Sequence, residues 1–66
     1  MCIIHYTVIK NKNGEAVAEY KQYKAKKKYK TREDALLRVN RVEKDPNTDM
    51  IFVHAITTEG GKVLWQ

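Results

Sequence analysis

Two segments of this chain are apolar on both alternating sides, which restricts where they can lie in a folded protein. Cys2 to Lys10 and Met50 to Thr57 are rich in β-branched and aromatic residues, which favour strands. A strand with apolar side chains on both faces is typical of the interior of a sheet. We therefore expect both segments to be central strands of one sheet.

A strong turn signal, Asn13-Gly14, follows the first of these strands. It predicts a hairpin whose second strand runs from Ala16 to about Lys24, and the lysines of that strand suit a sheet edge. A two-residue turn places Tyr6 opposite Lys21, whereas a three-residue loop with a bulge at Gly14 places Tyr6 opposite Tyr20. We favour the three-residue loop because it keeps apolar residues together.

A helix is predicted to begin after Thr31, whose side chain can cap the first turn. Acidic residues follow at once, where the helix dipole favours them, and Arg38 is spaced to pair with Asp34. The apolar stripe of this helix consists of Ala35, Leu36, Val39 and Val42. We expect the helix to include Lys44 in its last turn and to stop before Pro46.

A second hairpin is predicted at the end of the chain. The Gly60-Gly61 pair indicates a tight two-residue turn. That turn pairs Ile56 with Trp65 and makes Val63 to Gln66 the last strand.

The predicted order is ββαββ, a single α+β domain over residues 1–66. Its four-stranded antiparallel sheet has the order 2-1-3-4, with one helix packed on one face. One helix covers only one face, so the other face exposes apolar surface, which usually marks a contact site. A homodimer or a partner protein is expected on that face, which is assigned Ile3, Ile9, Phe52, Ile56 and Trp65.

Basic side chains are concentrated in the middle of the chain. Residues 20–30 hold six lysines and three tyrosines without one acid, and the net charge of the chain is +5. Such a balance favours polyanionic partners, since lysines neutralise phosphates and tyrosines stack on unpaired bases. The predicted function is non-catalytic binding of DNA or RNA. The residues expected to make the contacts are Lys21, Tyr23, Lys24, Lys26, Lys27, Lys28, Tyr29, Lys30 and Arg32.

The same features fit other interpretations. The lysines could form a solvated edge, with Tyr20 in the core and Tyr29 packed on the first helical turn. Arg38, Arg41 and Lys44 could likewise form an exposed helix face. The alternative function is a small protein-interaction module, such as an inhibitor or adaptor, that meets an acidic partner.

We expect no enzyme activity, cofactor or metal. Cys2, His5 and His54 are the only soft metal-ligand types, fewer than the four ligands of a closed zinc site. Cys2 and His5 also point to opposite faces of an extended strand. The chain has no glycine-rich phosphate loop and no paired carboxylates of the kind that acid–base chemistry needs.

The sequence also predicts a cytoplasmic protein. No apolar run approaches the roughly 20 residues that span a bilayer. Met1 to His5 lacks the basic region and cleavage site of a signal peptide. The single cysteine can form no internal disulfide, which is typical of a reducing compartment.

Overall fold

The computed structural model describes residues 1–66, which form four strands and one helix. The strands are β1 (Cys2–Lys12), β2 (Glu15–Ala25), β3 (Thr48–Thr58) and β4 (Val63–Trp65), and the helix is α1 (Arg32–Val42). All strand pairs are antiparallel, and the sheet order is β2-β1-β3-β4. The predicted α+β fold with ββαββ order is therefore confirmed.

The core lies between the sheet and α1. Successive residues of β1 alternate between buried and half-buried, so every second side chain points toward the helix. The fully buried residues are Cys2, Ile4, Tyr6, Val8, Ala25, Ala35, Val39, Val53 and Ile56. Leu36 packs against this core, whereas Val42 of the predicted stripe is 44% exposed because α1 ends at that residue.

The start of α1 is as predicted, and its end is earlier. The Thr31 hydroxyl oxygen accepts a hydrogen bond of 3.2 Å from the backbone N–H of Asp34. The helix stops at Val42, with Glu43 as its C-cap, so Lys44 lies outside it. The Glu43 side chain is held by Tyr6 of β1, where the chain turns away from the helix axis. This helix is neither long enough nor apolar enough to cross a bilayer.

The β1–β2 hairpin differs from the predicted register by one residue. Its turn consists of Asn13 and Gly14 alone, both with positive φ of 54° and 83°, and Tyr6 lies opposite Lys21. Positive φ at both positions matches the right-handed twist of the two strands. The predicted three-residue loop was wrong because Lys21 needs no apolar environment: it forms an ion pair with Glu43 beyond the edge of α1.

A β-bulge in β3 reverses the predicted direction of Ile56. The β1–β3 register shifts between Val53 and Ala55, which leaves His54 as the extra residue. Ile56 therefore points into the core with no exposed surface, and Trp65 lies opposite it and packs against the same core. The assignment of these two residues to the uncovered face was wrong, since alternation alone does not reveal a bulge.

The last turn is longer than predicted, although it leads to the predicted pairing. The backbone N–H of Thr58 donates to the carbonyl oxygen of Lys62 at 2.8 Å, so residues 59–61 form a three-residue turn. Gly61 adopts a φ of 93° in this turn. A register shift after Ile56 then restores its pairing with Trp65.

Candidate nucleic-acid interface

The position of α1 leaves a groove along the edge strand β2. The helix packs on β3 and lies away from β2. The face of β2 on the helix side of the sheet is therefore open. The resulting basic groove has a volume of about 530 Å³ and is lined by Tyr23, Lys24, Ala25, Lys26, Lys27, Tyr29 and Arg38. Its lining contains four cationic side chains and no carboxylate, so it suits an anionic ligand.

The groove continues along α1 toward a second arginine. This extension is lined by Lys27, Tyr29, Asp34, Leu37, Arg38 and Arg41. Asp34 is the one acid among these residues. Positive charge therefore runs from the end of β2 along one side of the helix.

The loop that carries the lysines is attached to the core at two points. The Cys2 thiol donates a hydrogen bond of 3.2 Å from Sγ to the carbonyl oxygen of Lys27. Two residues later, the half-buried Tyr29 ring packs against the core. These contacts hold the backbone of the loop, while the side chains of Lys26, Lys27 and Lys28 stay exposed.

Two groove cations lie over tyrosine rings. The guanidinium carbon of Arg38 is 5.8 Å from the centroid of the Tyr23 ring, and Lys27 Nζ is 5.8 Å from that of Tyr29. Both distances are typical of cation–π pairs. The predicted ion pair between Arg38 and Asp34 does not form, because the guanidinium group lies over Tyr23. Each of these half-buried tyrosines therefore supports a cation.

The sequence-predicted contact residues divide into three groups. Five of them line the basic groove, namely Tyr23, Lys24, Lys26, Lys27 and Tyr29. Lys28 and Lys30 are exposed in the adjoining loop, and Arg32 is the first residue of α1. Lys21 lies outside the groove, where its Nζ is 3.0 Å from Glu43 Oε1.

Lys21 belongs to an ion-pair network around the middle of β2, on the hairpin side of the basic groove. Glu43 is at its centre: one oxygen accepts from the Tyr6 hydroxyl at 2.7 Å and the other from Lys21 Nζ at 3.0 Å. Lys10 lies 4.0 Å from Glu43 and 3.7 Å from Glu19. The network pairs Lys10, Lys12 and Lys21 with the carboxylates of Glu19, Glu43 and Asp45.

The network shifts the pKa of its members. Burial raises the pKa of Glu43, but hydrogen bonds from Tyr6 and Lys21, together with nearby lysine charges, outweigh burial and hold that pKa below its ordinary value. Burial, followed by the hydrogen bond to Glu43, raises the pKa of Tyr6. The carboxylate of Glu43 is therefore charged in the folded protein at neutral pH.

Most basic side chains of the protein form no ion pair with a carboxylate. Only three basic residues form salt bridges, namely Lys10, Lys12 and Lys21. Every other lysine and arginine has no carboxylate within salt-bridge distance, including all the cations of the groove. The unpaired charge of the groove cations is thus available to an external anion.

The uncovered face of the sheet is more polar than the sequence predicts. Ile3 and Ile9 are half-buried there, and Phe52 is 42% exposed. The centre is occupied by His5 and Tyr20, whose Nδ1 and Oη atoms are 2.9 Å apart. Tyr20 is 60% exposed on this face, whereas one of the sequence interpretations placed it in the core.

The sequence-predicted contact residues did not include Arg38, which lines the basic groove, or Tyr20, which is exposed on the uncovered face. A signal for Arg38 was present, since Arg41 follows it three residues later and side chains at that spacing lie on the same side of a helix. The position of Tyr20 depended on a one-residue choice of hairpin register. Only the turn geometry at Asn13 and Gly14 decides that choice.

Among the soft metal-ligand types, Cys2 lies on the other side of the sheet from the two histidines. Cys2 is buried in the core, and His5 lies on the opposite face of the same strand. No three His, Cys, Asp or Glu side chains gather into a cluster that could hold a metal ion.

Comparison of the chain with protein-family models, curated proteins and solved structures finds no match.

Proposed function

We propose that this protein binds nucleic acid without catalysing a reaction, and that the phosphate backbone occupies the basic groove. The observation that carries the proposal is the unpaired state of the groove cations. Lys24, Lys26, Lys27 and Arg38 converge on one concave surface, and none of them has an internal ion pair. Phosphate binding releases counterions from the nucleic acid, which favours binding to such a surface.

The cations of the basic groove are carried by a loop and a helix whose positions are fixed by contacts with the rest of the fold. The loop is tied to Cys2 through Lys27, and Arg38 lies over Tyr23. Groups that are already positioned lose less conformational entropy on binding than free side chains do.

We also propose a cytoplasmic location for the protein, because the single thiol of Cys2 stays reduced in that compartment. Cell fractionation would test this location.

Binding to labelled DNA and RNA, measured by fluorescence anisotropy at several salt concentrations, tests this function. We expect the logarithm of the affinity to fall linearly with the logarithm of salt concentration, with a slope of about 0.9 for each duplex phosphate contacted. Absence of binding to every oligonucleotide at low salt would refute the proposal.

A charge-matched pair of variants locates the contact. Lys26→Glu with Lys27→Glu reverses two groove lysines, whereas Lys44→Glu with Lys62→Glu reverses two exposed lysines outside it. Both variants have the same net charge. We expect the groove variant to lose at least about tenfold more affinity than the control, because direct phosphate contacts outweigh general attraction. Equal losses would indicate that only net charge matters.

The alternative of a protein-interaction module rests on the uncovered sheet face. Phe52 and Met50 are exposed there and supply apolar surface, and a homodimer or an acidic protein partner remains the competing proposal. That mode predicts weak salt dependence and sensitivity to loss of Phe52. The anisotropy series distinguishes the two functions, since phosphate contacts produce a steep salt slope.

A further inference from the structure

Aromatic rings lie side by side in the middle of the uncovered sheet face. Tyr20 of β2 and Phe52 of β3 both pair with Thr7 of β1, one from each side. Residues directly opposite in antiparallel strands share a face, and two strand spacings separate Tyr20 from Phe52 by roughly 10 Å. We call the group of Tyr20, Phe52, His5 and His54 the sheet platform.

Three rings of the platform, those of Tyr20, His5 and His54, lie at small angles to one another. The centroid of Tyr20 lies 6.5 Å from that of His5 and 6.3 Å from that of His54, with interplanar angles of 26° and 29°. Hydrogen bonds fix both imidazoles: His5 Nε2 lies 2.8 Å from Thr57 Oγ1, and His54 Nε2 lies 2.6 Å from Thr7 Oγ1. A flat ligand therefore meets rings that are already oriented.

Three of the four platform rings are exposed to solvent, whereas His5 is half-buried. Tyr20 is 60% exposed and Phe52 is 42% exposed, and His54 is also exposed. By contrast, the tyrosines of the basic groove are half-buried and carry cations. The platform, and not Tyr23 or Tyr29, offers free aromatic surface for stacking.

The charge of the face complements a polyanion. The strand residues that share this face contain no carboxylate between the rows of Ala18 and Lys24. Lys24 pairs with Ile3, so it rises from the platform side, about 13 Å along β2 from Tyr20. Lys24 also lines the basic groove on the helix side of β2, so the platform face and the groove meet around this edge strand.

We infer that the ligand is single-stranded nucleic acid, with its bases stacked on the sheet platform and its backbone led by Lys24 into the basic groove. The inference rests on the proposed function and adds the class of nucleic acid to it. Unpaired bases expose both π-faces and stack on aromatic side chains with little regard to sequence. The bases of a duplex are stacked on one another, so a duplex reaches the groove but not the platform.

Variants of the platform test this inference. We compare a single strand of about 16 nucleotides with a duplex of the same length, for the intact protein and for Tyr20→Ala and Phe52→Leu. Each variant is expected to lower single-strand affinity by about 5- to 150-fold, the equivalent of one lost base–aromatic stack. Affinity for the duplex stays unchanged.

Two control variants separate stacking from general damage. Tyr20→Phe keeps the ring and is expected to bind the single strand as tightly as the intact protein. Val42→Ala truncates an exposed apolar side chain on α1, outside the lining of the basic groove, and is expected to leave both affinities unchanged. Amide shifts in NMR spectra at Thr7 and Tyr20 on addition of the single strand give a measurement that needs no variant.

The outcomes distinguish this inference from the proposed function. Unchanged single-strand affinity in Tyr20→Ala and Phe52→Leu, with a large loss in the groove variant, would overturn the platform and leave the groove in place. Absence of all binding would refute both. Self-association that depends on Tyr20 and Phe52, seen by sedimentation equilibrium, would show that a second copy covers the face and would also overturn the inference.

Discussion

Arg38 of α1 lies over the ring of Tyr23 of β2, with its guanidinium carbon 5.8 Å from the ring centroid. This contact joins the two sides of the basic groove, one from the helix and one from the edge strand. Arg38 lines this groove together with Lys24, Lys26 and Lys27. A single side chain thus contributes both to the shape of the groove and to its charge.

Arg38→Ala is expected to weaken nucleic-acid binding and to reduce its salt slope by about 1, because one phosphate contact is lost. Arg38→Lys keeps the charge without the planar group and is expected to show a smaller loss. Lys44→Ala, outside the groove, is the control. Anisotropy titrations across a salt series measure these slopes, and equal slopes for Arg38→Ala and the intact protein would contradict the prediction.

Glu43 is expected to make the stability of the fold depend on acidic pH. Its pKa is lowered from an ordinary value of 4.5, so its stabilising contribution is complete above that pH and is lost as the pH falls through the lowered pKa. Glu43→Gln removes this contribution, about 1–3 kcal/mol of unfolding free energy at pH 7, because Tyr6 and Lys21 lose a charged acceptor.

Urea unfolding monitored by Trp65 fluorescence at several pH values measures this effect. The free energy of unfolding of Glu43→Gln should fall less steeply below pH 4.5 than that of the intact protein. Glu59→Gln, on an exposed carboxylate without an ion pair, should retain the slope of the intact protein. Equal slopes for Glu43→Gln and the intact protein would be inconsistent with the network.

Gly14→Ala is expected to destabilise the first hairpin by about 1–2 kcal/mol. Gly14 has a φ of +83°, and an added Cβ would meet no atom within 4 Å, so the effect comes from backbone strain and not from a clash. Gly60→Ala is the matched control, because its added Cβ meets only Thr58 Oγ1 at 3.8 Å. Thermal unfolding of both variants should separate them, and equal melting temperatures would argue against the two-residue turn.

Ile56→Val is expected to lower stability by about 0.5–1.5 kcal/mol, because it removes a methylene group from a site with no exposed surface. Met50→Ala, at a side chain that is 54% exposed, should change stability by less than about 0.5 kcal/mol. Chemical unfolding checks both values. A neutral Ile56→Val variant would mean that the β3 bulge does not direct this side chain into the core.

Much of the fold was predictable because its signals are local. The apolar character of both sides of β1 and β3 indicated central strands, and Thr31 marked the helix start. Five of the nine predicted contact residues line one groove, since a continuous stretch of chain carries them. The directions of Ile56 and Tyr20 were not predictable, because a bulge and a one-residue register shift each reverse a side chain without changing the pattern.

The sequence by itself determined the element order, the central strands and the concentration of lysines between β2 and α1. Those properties depend on residue type and on short-range spacing, which are written in the chain. Only the tertiary structure decided which cations remain unpaired. Lys21 meets Glu43 across 22 positions of sequence, whereas Arg38 meets Tyr23 instead of the nearby Asp34. The physical reason is that pairing of charges depends on distances in space, which the packing of α1 over β3 sets.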